Sequence, residues 1–194
     1  MSKAEQTRQF IIEQTAPIFN KKGYAGTSLS DMTEATGLTK GSIYGNFEDK
    51  DAVALAAFDH NARKIQEIVR GEIDRCEGIR EKLLMYVHVY QNLDKYPFPS
   101  GGCPLLNTAV DSDDTHPLLK AKVAAVVRGM KERLVALIEE GVRRGEFKPS
   151  TNAEQVALTM LATIEGCIWI SRLADKKRDV QLIMQSVEDM VRHL

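Results

Sequence analysis

In the stretch LTKGSIYGNFEDKDAV, Leu38 to Val53, a few residues of the right types sit at the right spacing to meet a phosphate-rich, edge-presenting partner. Lys40, at the start of a short helix, can approach guanine O6 and N7 or a phosphate, and Ser42 can bond to either. Tyr44, one turn on, can place its hydroxyl on a phosphate, and Asn46 can donate to one. Gly41 removes the side chain that would hold such a partner's backbone away. It does so at about 1 kcal/mol relative to alanine in a helix, a cost that Gly45 repeats. A very short helix carrying two glycines is not justified by its own stability; its justification lies in what it touches.

The elements that must position these residues are helical. Apolar residues recur at helical spacing along almost the whole chain, and no stretch sustains the alternation of a strand, so the sequence predicts an all-α protein. A first helix is expected over about Ala4 to Lys22, with Ile11, Ile12, Thr15, Ile18 and Phe19 on one side. Pro17 should bend it locally, and Gly23 should end it in a left-handed conformation. In TSLSDMTEATG, Ser28 and Asp31 form a capping pair, Leu29, Met32 and Ala35 face inward, and Gly37 ends the helix. Thr39 then caps the helix that carries Lys40 to Asn46, with Ile43 and Phe47 turned inward. Two short capped helices joined by a glycine-containing turn are the outline of a helix-turn-helix, which lays its second helix in the major groove. Amides at the starts of the flanking helices, near Ser28 and Lys50, can also receive phosphates.

Bulk charge does not carry this reading. The net charge over 194 residues is −1, and residues 1 to 50 balance six Lys and Arg against six acids, so DNA binding must rest on placement. The composition is that of an ordinary globular protein. No uninterrupted apolar run approaches the roughly 18 residues of a membrane span, and MSKAEQTRQF has no signal-peptide core, so a cytoplasmic location is expected. Cys76, Cys103 and Cys167 are widely spaced and form no CxxC pair, which points to reduced thiols. His60, His88, His116 and His193 have no metal spacing. Asp113, Asp114 and His116 beside Pro117 read as a helix start, and neither metal nor cofactor is expected.

Residues Phe19 to Phe58 resemble the DNA-binding region of the TetR family of bacterial transcriptional regulators. The resemblance is carried by Phe19, Gly23, Tyr24, Thr27, Ser28, Gly37, Thr39, Gly41, Tyr44, Phe47 and Lys50, which match the family pattern in type and spacing. Asn46 departs from it, since many members have histidine there. The resemblance implies a three-helix DNA-binding domain that contacts an operator, typically palindromic, through Thr27, Ser28, Thr39, Lys40, Gly41, Ser42, Tyr44, Asn46 and Lys50. It also implies a helical C-terminal domain that binds an effector and dimerises, and release from DNA when the effector binds; the function is regulatory, not enzymatic.

Beyond Lys50 a long helix to about Arg75 and another over Ile79 to Tyr96 precede YPFPSGGCP, the Pro/Gly-dense stretch, and a further long helix runs from Pro117 towards Gly145. Gly101 to Leu119 resembles a segment of one subgroup of the family, in which a Gly-Cys start precedes a short helix lining the effector region. A small-molecule site of adaptable apolar walls with a few polar groups would draw on Met85, Tyr86, Tyr90, Cys103, Asn107, Met130, Thr163, Glu165 and Trp169. Cys103 at a helix start could instead sense oxidants or electrophiles, or, with His88 or His116, serve a thiol-dependent enzyme; no linear motif pairs them. A helical hairpin that binds another protein is the remaining alternative. The apolar faces of residues 153 to 172 and 179 to 194 exceed what a small domain covers and favour a homodimer. The expected organisation is a DNA-binding domain over 1–49 and a ligand-binding and dimerisation domain over 50–194.

Overall fold

A computed structural model describes Ser2–Leu173 and Lys177–Leu194, and the described residues are helical, with no strand among them. They form α1 (Lys3–Gly26), α2 (Leu29–Thr36), α3 (Lys40–Tyr44), α4 (Lys50–Ile73), α5 (Ile79–Gln91), a 3-10 turn at Leu93–Lys95, α6 (Pro104–Ser112), α7 (Pro117–Arg143), α8 (Ala153–Leu173) and α9 (Lys177–Arg192). The chain divides into two compact units. One holds the residues up to Ile65 with Pro99–Ala125, and the other holds Gln66–Phe98 with Val126–Leu194. This grouping by packing cuts both α4 and α7, and it does not follow the expected division at 49/50.

In the first unit, Ile11, Ile12, Ala16, Phe19, Met32, Ile43, Phe47, Val53, Ala54 and Ala57 make one core from α1 to α4. The capping signals act as the sequence predicts. Ser28 and Asp31 form a reciprocal capping box on α2, Gly37 closes it in the left-handed region (φ 66°), and Thr39 caps α3 by accepting from the Ser42 amide at 3.2 Å. Burying Ile43 completely contributes about 1.5–3 kcal/mol, against about 1 kcal/mol lost at Gly41, since Gly45 is the C-cap and lies outside the helix. Packing, not propensity, therefore holds α3.

The first helix departs from expectation. It does not stop at Gly23 but resumes to Gly26, and the non-helical residue inside it is Gly23 (φ 72°, ψ 177°), not Pro17. Asp111 of α6 explains the resumption, because its carboxylate accepts from the Tyr24 amide at 2.6 Å and caps the second segment. A Cβ on Gly23 would lie 2.7 Å from that carboxylate, so both conformation and space demand glycine. Three residues before Gly23, buried Asn20 donates to the carbonyls of Ser100 and Gly102, while Asn107 donates to the carbonyls of Asn20 and Gly101. These bonds seat α6 against α1.

In the second unit Arg80 gathers the ends of three segments. Its guanidinium donates to the carbonyls of Val191, Arg192, Leu194 and Glu146 and lies 4.9 Å from the centre of the Phe147 ring. Glu146 accepts from the Arg80 and Ile79 amides, which keeps its carboxyl below the usual range. Helix α8 buries Ala157, Met160, Ile164, Cys167 and Ile168, and α9, which packs against both α8 and α5, buries Met184, Val187 and Val191. By length and composition α8 is apolar enough to cross a membrane, with a mean hydropathy of 1.4. It contains no uninterrupted apolar run of that length, because Glu165 lies among its apolar residues.

Candidate nucleic-acid interface

The start of α3 is built to be approached. Thr39, Lys40 and Gly41 are exposed, and among the described residues no carboxylate pairs with Lys40. A Cβ added to Gly41 would find only the Thr39 hydroxyl, at 3.9 Å. Nothing in the protein requires a glycine there. Gly45 differs: its Cβ would lie 3.1 Å from the Gly41 carbonyl, so its smallness serves the tight end of α3. Tyr44 is half-buried and packs against the core, an anchored ring at the edge of the exposed surface.

At the other end of α3, the Asn46 side-chain amide donates to the Ser42 carbonyl at 2.9 Å, and the Asn46 backbone carbonyl accepts from Arg8 at 2.6 Å. The Asn46 side chain thus closes the helix end, which sets a limit on the expected phosphate contact. Thr27 is fully buried, and its hydroxyl donates to the Gly23 carbonyl at 2.7 Å, so it shapes the turn and offers no group to DNA. Ser28 is exposed, with its hydroxyl engaged in capping α2.

The start of α4 carries a charged cluster. Asp49 accepts from the Ala52 amide as a cap, and the Lys50 ammonium lies 4.3 Å from the centre of the Tyr24 ring. The Tyr24 hydroxyl donates to Asp51, and that bond, with burial and the charges of Asp51 and Asp49, pushes its pKa up to about 12. His116 packs edge-on against Tyr24, and its Nε2 lies 3.6 Å from Asp51 while its Nδ1 accepts from the Leu119 amide. His116 is thereby a helix cap, as expected, and also a neighbour of the α4 start.

An exposed α3 start between two capped helices, with basic side chains beside it, is the geometry of a major-groove reader. Comparison with known proteins agrees. The family described as bacterial regulatory proteins, tetR family, matches residues 11–57, and the tetracyclin repressor-like C-terminal domain matches residues 80–187. The chain belongs to the TetR family. A crystal structure of a TetR-family regulator from Cytophaga hutchinsonii is 46% identical with a TM-score of 0.94, covering 98% of this chain and 96% of that one. One from Chloroflexus aurantiacus is 36% identical with a TM-score of 0.93 and the same coverage. Among curated proteins, the HTH-type transcriptional regulator TtgR of Pseudomonas putida is 29% identical over 97% of this chain and 93% of that protein. This TetR-family chain is a DNA-binding transcriptional regulator and not an enzyme, and regulators of the family bind operator DNA as homodimers and respond to small molecules.

The residues expected at an effector site in this TetR-family regulator do not all fall in one unit. Cys103 and Asn107 belong to the first, where Cys103 is buried at the start of α6 and Asn107 is engaged with α1. The rest belong to the second. There Tyr86, Tyr90 and Phe98 form a continuous aromatic row, with centroids 5.2 and 5.8 Å apart, and Met130 is buried. Met85, Thr163 and Glu165 are half-buried. Trp169 is 55% exposed on the outward side of α8, with Leu158 and Leu173, away from the buried line of that helix. A surface groove of about 750 Å³ between α7 and α8 is lined by Lys131, Val135, Glu139, Arg143, Asn152 and Glu154 among others, and by none of the expected effector residues. In the first unit a void of about 20 Å³ beside Asn61 and Asp111 has room for a water and no more.

Sequence reasoning missed Arg8, Asn20, Asp51 and Asp111 as residues that hold the interface. Their partners lie 27 to 87 positions away, and no local pattern marks them.

Proposed function

We propose that the protein is a repressor that leaves its operator when a small apolar molecule binds in the second unit. In this reading residues 1–49 read the DNA, and residues 50–194 bind the effector and dimerise. The observation that carries it is Gly41. It is exposed, has an ordinary backbone conformation and has open space around it, so its lack of a side chain matters only to a partner outside the protein. Lys40 and Ser42 approach base edges, Tyr44 and Lys50 approach phosphates, and the amides beside Ser28 take a further phosphate.

The outward side of α8, with Leu158 at 49%, Trp169 at 55% and Leu173 at 70% exposed, and Leu182 of α9 at 57%, supplies the face through which two copies join. Two copies then present their α3 helices to major-groove faces about 34 Å apart. The aromatic row of Tyr86, Tyr90 and Phe98, with the half-buried Met85, supports an apolar effector. Release requires that the effector bind one conformation more tightly than the DNA-competent one. The place of action is the cytoplasm, where the operator is.

The test is selection of genomic fragments with the purified protein, followed by gel shifts with Lys40→Ala and Tyr44→Ala and a screen of small molecules for release. Both variants should fold and bind the selected duplex more weakly; undiminished binding by both refutes the assignment of α3.

A further inference from the structure

We infer that Arg8 is a positioning residue for operator recognition: it latches the far end of the recognition helix to α1 and so sets the angle at which Lys40, Gly41 and Ser42 are presented. The inference rests on α3 as the DNA-reading element and adds a residue of another helix to it.

The need for a latch follows from the size of α3. Five residues, Lys40–Tyr44, make little more than one turn, and an isolated helix of that length does not persist in water. Its start is fixed by the Thr39 cap and its middle by Ile43, which is fully buried. The partly buried Tyr44 ring adds a second contact to the core, but these side chains and one cap leave the backbone at the far end of the helix to be held as well. Within the segment, the end is closed by the Gly45 amide donating to the Gly41 carbonyl, the Phe47 amide donating to that of Ile43, and the Asn46 side chain donating to that of Ser42. The Asn46 carbonyl falls beyond the last turn, where the chain has no further helical amide to offer it.

Arg8 supplies the donor. Its Nη1 donates to that carbonyl at 2.6 Å, across 38 residues of sequence. Its guanidinium also lies 4.0 Å from the centre of the Phe47 ring, and Phe47 is 3% exposed within the core that holds Ile43. A flat, delocalised cation can do both at once, stacking on the ring while its edge donates. An ammonium on a lysine stem reaches one partner at a time. Among the described residues no carboxylate pairs with Arg8, so its orientation is fixed by this helix end and not by an ion pair.

Because Arg8 is itself exposed, the rival role is a direct phosphate contact, and the two roles differ in what they do to salt dependence. A phosphate contact removes about one counterion, so its loss lowers the slope of log K against log salt by roughly 0.9 and weakens all duplexes alike. A latch acts on the fit of α3 to base edges. Its loss weakens the selected operator while leaving the slope and the non-specific affinity in place.

The experiment is fluorescence anisotropy of the full-length protein, as wild type, Arg8→Lys and Arg8→Gln, on a duplex selected by the wild type and on a scrambled duplex over a series of salt concentrations, with thermal melts of each variant. Both variants should lose about tenfold or more on the selected duplex, which is about 1.4 kcal/mol, keep the wild-type salt slope and scrambled-duplex affinity, and melt within a few degrees of wild type. Full retention of operator affinity by Arg8→Lys overturns the inference, because charge alone would then suffice. A slope reduced by about 0.9 in Arg8→Gln with parallel losses on both duplexes also overturns it, in favour of a phosphate contact. Failure of the wild type to select any duplex would instead strike the reading of α3 itself.

Discussion

Changing Gly41 to alanine should raise the stability of the protein and lower its affinity for DNA, two effects of opposite sign from one methyl group. The stability side follows from the space around the residue. The nearest atom to the new Cβ is the Thr39 hydroxyl at 3.9 Å, Gly41 is exposed, and it is not among the glycines with positive φ. Alanine therefore fits without strain and reduces the freedom of the unfolded chain, a gain of about 0.4–1 kcal/mol. For a chain of 194 residues that corresponds to a rise in Tm of roughly 1–4 °C. The DNA side follows from where the methyl projects, one residue from Lys40 and Ser42 on the approached surface. Displacing one good base-edge contact costs about 1–3 kcal/mol, or roughly 5- to 150-fold in affinity. No charge changes, so the salt slope should stay as it is. Differential scanning fluorimetry at fixed protein concentration and anisotropy on a selected duplex make the two measurements. A lower Tm would show that Gly41 is a packing requirement, and binding within twofold of wild type would show that the start of α3 does not meet the DNA closely. Either result refutes the argument.

Acid sensitivity should reside partly in Asp31, whose carboxyl is held at about 2 by the hydrogen bond from Lys22 and by those from Ser28. A depressed pKa stabilises the fold above the ordinary value of 3.8, and that contribution disappears as the pH falls through about 2. The gap between wild type and Asp31→Asn in urea midpoint should be constant at neutral pH and close in that window; a gap independent of pH would count against it. At the alkaline end, Tyr24 should ionise near pH 12, because its hydroxyl donates to Asp51. Its raised pKa supports the fold below 10.0, and the support is lost as the pH climbs through about 12. Tyr24→Phe should remove one tyrosine's amplitude near pH 12 from an ultraviolet absorbance titration, and an unchanged amplitude there would contradict the assignment. Trp169→Asp, on an outward position of α8, should shift the protein toward monomer in analytical ultracentrifugation while preserving its circular dichroism. An unchanged dimer would place the interface elsewhere.

The readable parts of the interface were those whose physics is local. Ser28 with Asp31, Gly37 and Thr39 each act on partners a few residues away, so spacing sufficed to place α2, the turn and α3. Ile43 and Phe47 were legible as inward residues because helical periodicity sorts buried from exposed. The readings that shifted were those in which a side chain had more than one reachable partner. Thr27 could have faced DNA and turned to the Gly23 carbonyl, while the Asn46 amide turned to Ser42. Trp169 is apolar and sits on an apolar helix, but which side of α8 faces inward is set by α9, and the sequence of α8 alone does not say. Gly23 was legible as a break; its outcome, a resumed helix, depended on a carboxylate 88 residues later at Asp111, which binds the amide of Tyr24.

By itself, then, the sequence determined the all-helical class, the capped helix-turn-helix, the family and the capped start of α3. The class and the motif follow from hydrogen bonds and periodicities that close within a few residues, and the family from the resemblance carried by the residues between Phe19 and Phe58. Tertiary structure decided what holds that helix in place. The Arg8 guanidinium on Asn46 and Phe47, the Asp111 cap on Tyr24, and the cluster of Tyr24, Asp51 and His116 join residues that the linear chain keeps far apart. Such contacts exist only after the core has brought the helices together, and no local preference announces them.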